Sequence, residues 1–546
     1  MKTGVCFIHG SMAVMLCAIA GVRGQTLPQP GASFQTFMTK CVWTWYGEPK
    51  AVYYKGTAEK TYVGYLRTLT NPATVEIASY NHKNGEIDTF LLKSNFGNDD
   101  HNHPSIIVRN DGRIMAFYSQ HYGAGLFMRI SHNAEDITQW DAERVIYPDS
   151  FTYPNVYQMS NQGKNGNRIY VFFRGSGGAG QPNLIYSDDG GTTWTPPVEF
   201  FQGTTAANDR PYVKYESDGT SVVHMIIERD NRNNGPVPSF YLCFKDSAFY
   251  KSDGTLIRTL AQVRGGGGFL TPADVETVYD PANPHLDSNP GLTNLKGSVW
   301  DVGIGSDGRP VFLFDIFDND GTNHWYHYYR YDGTSWRRTF LINSGTFIGA
   351  AGTAETGFAG GLTLDHVNPN VIYISAQVNS VFELSRWESP DTGTTWQKTQ
   401  ITSGSGLNQN FRPCVPRGYV GGKVGVIWLC GQYSYYTGPF SCDIRTYSFD
   451  QIQSVRQKSA VLVASPFGLD VRRSGISFTL ANPRASSLRL YTLGGKLALD
   501  CTRQVRSLGA GKNMISWSGT ALENGGYVAC LDNGASCVSR TVAIVR

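Results

Sequence analysis

Seven short strands of aromatic and β-branched residues recur about every 50–60 residues, each behind a polar turn. They predict an all-β chain: a seven-bladed β-propeller over residues 25–459, followed by a small C-terminal β-sandwich domain over 460–546. Two turns support this. "SDDGGTTW" (187–194) and "SPDTGTTW" (389–396) fit the Asp-box pattern S-x-D-x-G-x-T-W, and "YDGTSW" (331–336) is a degenerate relative. In such a box the Asp accepts backbone N–H bonds across the hairpin, and the Trp is expected to pack between neighbouring blades. Composition agrees: 61 Gly suit many tight turns, and 13% aromatics suit strands and sugar-stacking surfaces alike.

The chain begins "MKTGVCFIHGSMAVMLCAIAGVRGQ", a basic Lys2, an apolar stretch and small residues at Ala18, Ala20 and Gly24. This reads as a signal peptide over residues 1–24, so the protein is expected to be secreted or displayed on the outer surface. The recurring strands are "KTYVGYLR" (60–67), "GRIMAFYS" (112–119), "NRIYVFFR" (167–174), "TSVVHMIIE" (220–228), "GRPVFLFD" (308–315), "NVIYISAQ" (370–377) and "GKVGVIWLC" (422–430). Each is read as the inner strand of its blade. The wider gap before Gly308 holds "VRGGGGFLTPADVE" and "NPHLDSNPGLTN" and reads as a long insertion loop. Beyond Ser459, "LRLYTLGGKLALD", "GAGKNMISWSG" and "NGGYVACLD" are short alternating strands with Gly turns. They resemble the C-terminal sorting domains of Bacteroidota and Fibrobacterota secretion substrates; a non-catalytic accessory module is the equal alternative.

Lys and Arg number 47 against 44 Asp and Glu, too balanced for a nucleic-acid binder. After the leader no apolar run is long enough to span a bilayer, so no membrane partner is expected and the protein is read as a monomer. Eight cysteines follow the leader without a C-x-x-C pair, which excludes a zinc finger and leaves disulfide connectivity open.

The chemistry-bearing stretch is "DDHNHPSIIVRNDGRIMAFYSQH" (99–121), which carries three of the chain's 11 histidines. His101 follows two carboxylates that could orient or charge its imidazole. His103 precedes Pro104 and is held extended. The pattern D-D-H-N-x-P, then D-G-R-I and F-Y-S-x-H, resembles the BNR-4 type seven-bladed polysaccharide lyases, a group that includes ulvan lyases and L-rhamnose-α-1,4-D-glucuronate lyases. The resemblance runs from "WTWYGEPKAVYYKGTAEKTYVGYL" to "FRPCVPRG" and "VIWLCGQYSYY". It implies catalytic roles for His101, His121, Tyr153 (in "FTYPNVYQM", with Tyr157 as the fallback) and Arg174, and leaves His103 a bystander. It further implies substrate contacts from Arg210, Tyr212 and Lys214, from Arg229 and Asn231 beside Arg232, and from Arg412 and Tyr433. "RDNRN" (229–233) stands where relatives often carry His-Pro, a departure expected to alter substrate selection.

The implied reaction is β-elimination at a glucuronate of an acidic polysaccharide, with a rhamnose–glucuronate linkage as the expected target. A cation must stabilise the carboxylate as it becomes enolate-like, and an acid–base pair must move the C5 proton and protonate O4. Arg174 and His121 suit the first task, His101 and Tyr153 the second, and the sequence leaves open which of that pair is the base. No cofactor is needed. His224, Cys243, His324, His327 and His366 are the candidates for a structural zinc or calcium ion, though none has ligand spacing that argues for one unaided. Two rivals remain: a sialidase-like hydrolase, with Arg174, Arg229 and Arg412 as an arginine triad, and a non-catalytic glycan-binding propeller.

Overall fold

The structure, a computed structural model, describes residues 34–448 and 470–544 apart from short internal stretches at 176–179, 204–209, 285–291, 350–354, 473–474, 481–485, 493–495, 517–521, 523–524 and 533–536. The signal-peptide stretch and the expected domain boundary at residue 459 lie outside the described residues. The chain divides into two compact units, residues 1–450 and 451–546.

All seven recurring segments are strands of the first unit, in six antiparallel sheets. The seven-stranded sheet, from Ser105–Val108 to Val198–Glu199, is two meanders sharing one 16-residue strand, Arg144–Met159. The first half of that strand pairs with Gly123–Ile130 and the second half with Arg168–Gly175. Its register with Arg168–Gly175 breaks between Thr152 and Asn155, around Tyr153, near where the strand passes from one meander to the next. The last sheet, built on Gln409–Cys414, Val426–Tyr433 and Phe440–Tyr447, takes Gln35–Met38 from the chain start as its outer strand. Pairing the first described strand with the last closes the ring.

In each meander the recurring segment is the second strand, not the innermost as expected. The first strands, such as Tyr212–Ser217, Lys296–Ile304 and Leu362–Leu364, lie against one another around the axis. Second strands are covered on both faces by neighbouring sheets and therefore read as unbroken apolar runs. Several first strands carry buried charge, as at Lys214, Glu216, Asp301 and Arg412, so an apolar pattern does not reveal them. Lys214 and Glu216 meet Glu48, Asp301, His366 and Arg417 there: Lys214 Nζ donates to Trp45 O at 2.6 Å and Glu48 Oε1 at 3.1 Å, and Arg417 Nε lies 2.9 Å from Glu216 Oε2.

The Asp boxes form as read. Asp189 Oδ1 accepts from the Thr192 and Thr193 amides at 2.9 and 2.8 Å, and Asp391 Oδ1 accepts from the Thr395 amide at 2.7 Å. Each box Trp reaches a ring of the preceding meander: Trp194 meets Phe117 at 5.8 Å, Trp336 meets Tyr241 at 5.1 Å and Trp396 meets Tyr328 at 5.1 Å. Edge-to-face contacts of this kind add about 0.5–1.5 kcal/mol each beyond the area they bury.

The wide gap before Gly308 is more than a loop. Thr259 caps a short helix, Leu260–Gln262, through a capping box, and Glu276–Tyr279 adds a strand to Ser239–Lys245. The second unit holds a three-stranded and a four-stranded sheet whose inward residues, among them Ile476, Phe478 and Ile515 against Leu488, Leu490 and Leu531, form one buried cluster. It also contains a short helix, Thr502–Arg506, that alternation alone did not suggest.

Candidate active site

Asp99 caps a single 3-10 turn, Asp100–Asn102, by accepting the His101 amide at 3.0 Å. The turn places His101 beside both carboxylates: its Nδ1 lies 2.5 Å from Asp99 Oδ1 and 3.0 Å from Asp100 Oδ1. Asn102 then ties two loops together, accepting the His121 amide at 3.0 Å and donating to Phe96 O at 2.7 Å. The result is a parallel stack of His101 on His121, centroids 3.9 Å apart and planes 6° from parallel. His121 Nδ1 also reaches Asp99, at 3.1 Å from Oδ2.

Two imidazolium rings cannot share such a stack, and the surroundings decide which takes the charge. Burial works against a proton on either ring. At His101 the two carboxylates outweigh burial and hold its pKa at about 9. At His121 burial, reinforced by His101 and Arg174, wins over Asp99 and pushes the pKa down to about 4. The pair therefore carries one proton at neutral pH, on His101. Its Nδ1 is engaged by the carboxylates, which leaves Nε2 for the pocket.

Tyr153 sits at the register break of the 16-residue strand, at φ 57°. A bulky residue in the left-handed region is strained, and Asn155 holds it there by donating to its carbonyl at 2.8 Å. Tyr122 and Arg412, at φ 55° and 48°, are strained likewise around the same pocket. The Tyr153 ring stacks on His101 at 5.0 Å. Burial, then Tyr212, push its pKa well above the ordinary phenol value despite Arg174 nearby. Arg174 pairs across from Thr152, and its guanidinium is packed among the rings of Tyr122, Tyr153 and Tyr212 at 4.7, 4.8 and 4.7 Å. Its Nη2 points at His121 Nε2 from 3.2 Å.

These groups surround a cavity of about 110 Å³ whose wall includes His101, His121, Tyr153, Arg210, Tyr212 and Asn231. Arg174 lies just behind that wall. Other expected contacts do not line it. Lys214 belongs to the axis network. Arg412 and Tyr433 lie beneath the pocket, where Arg412 Nη1 reaches Asp100 Oδ2 at 2.6 Å and the Tyr433 hydroxyl donates to the same oxygen at 2.8 Å. Arg229 is absent from the wall, and its neighbour Arg232 takes that place. Tyr157, the fallback, donates to Tyr215 O at 2.8 Å inside another core cluster. His103 is buried and bonded to Tyr46 O at 2.8 Å, so it supports the backbone of a pocket residue. A sequence position near a strand end fixes the face but not the depth, and depth is what separates these residues from the pocket.

Arg412 is thus a positioning residue: it holds the buried Asp100 that faces His101. Arg412→Ala is expected to cost about 3–5 kcal/mol in chemical denaturation, because it strands a carboxylate in the interior. Arg412→Lys should recover part of that loss.

The cavity also has walls the sequence reading did not assign: Trp45 and Tyr46 from "WTWYGEP", Asn233, Glu355, Phe358 and Tyr436. Tyr436 sets its ring edge-on to both stacked histidines, at 5.2 and 5.6 Å. Tyr46 was visible only as part of an aromatic cluster, and Glu355 has no local signal at all.

The metal candidates are not gathered. His224 bonds Tyr241 at 2.6 Å, His324 bonds Asp315 at 2.6 Å, His327 bonds Trp325 O at 2.8 Å, and His366 lies 3.1 Å from Asp301. His224 and Cys243 are opposite one another in paired strands, but no third candidate joins them among the described residues. The group with ligand spacing there is Asp99, His101 and His121, in which both Nδ1 atoms bond the Asp99 carboxylate.

A family profile described as "BNR repeat-containing family member" matches residues 60–344, just over half of the chain. The chain belongs to this family. Within it, the chain is similar to an ulvan lyase of Alteromonas sp. (strain LOR), 29% identical over 180 residues, which are 28% of this chain and 34% of the relative. It is 30% identical over 168 residues to "Ulvan Lyase-PL25" of Pseudoalteromonas sp. (strain PLSV), covering 26% and 32% of the two chains. The matched segments thus span about a third of those relatives' length. An ulvan lyase of Nonlabens ulvanivorans matches at 23% over 401 residues, 65% of this chain and 76% of that one. Among solved structures, a PL25 ulvan lyase bound to -[GlcA(1-4)Rha3S]- superposes with a TM-score of 0.55 at 15% identity, covering 77% of this chain and 95% of that one. The match agrees with the propeller read from the repeats, and the ulvan lyases agree with the family that the histidine motif resembles. No helix among the described residues is long and apolar enough to cross a membrane.

Proposed function

We propose that this BNR-repeat protein is a secreted polysaccharide lyase that cleaves a glycosidic bond to glucuronate by β-elimination, with a rhamnose–glucuronate linkage as its target and an unsaturated uronate as its product. The observation that carries the reading is the Asp99/Asp100–His101 arrangement stacked beside Tyr153 in one cavity. Asp99 and Asp100 fix His101 with its proton on Nδ1, so that Nε2, once deprotonated, is an oriented base for the C5 proton. Tyr153, whose proton is held tightly by burial, is the donor that protonates O4 as the bond breaks. His121 and the Arg174 charge behind it take the carboxylate side, where negative charge grows in the transition state. On this reading His101 is the base and Tyr153 the acid.

A sialidase-like hydrolase is less well supported. Arg174, Arg229 and Arg412 do not converge on one point of the cavity: Arg412 is spent on Asp100 beneath it and Arg229 is off its wall. Tyr46 and Glu228 make a tyrosine–glutamate pair at 3.1 Å, but Arg232 closes on both of them.

The test is a panel of uronate glycans read by the ultraviolet absorbance of a newly formed unsaturated uronate. Absorbance on glucuronate polymers is expected. Reducing ends without that absorbance would mean hydrolysis, and binding without either signal would mean a lectin.

A further inference from the structure

Glu355 is an acidic side chain on the wall of a cavity that otherwise offers cations and rings to an acidic polymer. It is built in. Asn233 Nδ2 donates to Glu355 Oε2, the Tyr435 hydroxyl approaches Oε1 at 3.5 Å, and Asn233 Oδ1 accepts the Gly357 backbone amide at 3.1 Å. Asn233 is in turn fixed by its own amide donating to Asn231 Oδ1 at 2.9 Å. The "RDNRN" turn and the turn that carries Glu355 are therefore knitted into one wall. Glycine at 357 is required for this: a Cβ there would stand 2.6 Å from Arg232 Cδ. Asn231, Asn233 and Glu355 all line the cavity, and with the Asn231 and Asn233 Oδ1 atoms engaged inside the wall the Glu355 carboxylate is the acceptor this side offers to a sugar hydroxyl.

Resting on the lyase reading above, we propose that Glu355 is a specificity residue: it accepts a hydroxyl of the sugar next to the uronate and disfavours a sulfate ester at that position. An alcohol can donate to the carboxylate. A sulfate cannot donate, and it would bring a like charge into a low-dielectric pocket. The substrate class that follows is a glucuronate polymer whose neighbouring sugar is unsulfated.

The experiment compares the wild type with Glu355→Gln and Glu355→Lys on ulvan and on chemically desulfated ulvan, scoring the ratio of kcat/KM for the sulfated to the desulfated polymer. The wild type should favour the desulfated polymer. The ratio should rise about tenfold in Glu355→Gln and further in Glu355→Lys, whatever the absolute rates. Equal losses on both polymers, or an unchanged ratio, would overturn the proposal, since a merely structural role moves both rates together. Affinity electrophoresis in gels containing each polymer separates this from the lyase reading. A shift in relative binding without any unsaturated product would sink the lyase reading and keep the specificity role. No shift in either readout would sink the role itself.

Discussion

Tyr153→Phe is expected to lower kcat on a glucuronate polymer by about 10²–10⁴-fold while leaving the fold intact. The variant keeps the ring that packs against Tyr46 at 5.0 Å and His101 at 5.0 Å, and it keeps the same strained backbone, so thermal stability should move by less than about 1 kcal/mol. What it removes is the hydroxyl proposed to deliver a proton to the departing O4. Substrates with a better leaving group at C4, which need less protonation, should lose less. A uniform, small loss of KM and kcat across leaving groups would instead make Tyr153 a stacking platform. Continuous ultraviolet absorbance gives the rate, and a melting curve on the same preparation gives the fold.

The pH profile should be just as telling. His101 has a pKa of about 9 in the free protein, so the base is mostly protonated at neutral pH. Having it deprotonated at pH 7 costs about 3 kcal/mol. kcat/KM should accordingly climb about tenfold per pH unit from 7 and level off near 9. The sign follows from the carboxylates: they favour the charged imidazole, so removing one lowers the pKa. Asp99→Asn should shift the rising limb to lower pH and reduce the plateau, because it also loosens the ring's orientation. A flat profile between pH 7 and 9 would rule His101 out as the base. A limb that stays put in Asp99→Asn would mean that another group titrates.

The parts of this molecule that could be read from sequence are those set by neighbours along the chain. The Asp boxes are closed by bonds spanning three or four residues, and the second strands are apolar because both of their faces are covered. His101 and His121 were singled out through the family resemblance, and the turn capped by Asp99 and the loop held by Asn102 are the devices that bring them together. The depth of a side chain is not local. Lys214, Arg412 and Tyr433 sit on the right strands but are buried on the axis side or under Asp100, and nothing within a few residues of them says so. Glu355 and Tyr436 come from remote sheets, so only closure of the ring brings them to the histidines. The metal candidates are dispersed for the converse reason. Each of the four histidines has a protein partner of its own, as packed histidines commonly do.

The N-terminal strand that completes the final sheet joins the two ends of the first unit. His101 lies near one end of that unit in sequence, yet the groups beneath and beside it, Arg412, Tyr433 and Tyr436, come from its other end. The Asp100 amide itself donates to Tyr436 O at 2.8 Å across that seam. The imidazole pair therefore lacks these supports until the two ends of the first unit have met. On the lyase reading, copies clipped before Tyr436 should be inert rather than weakly active.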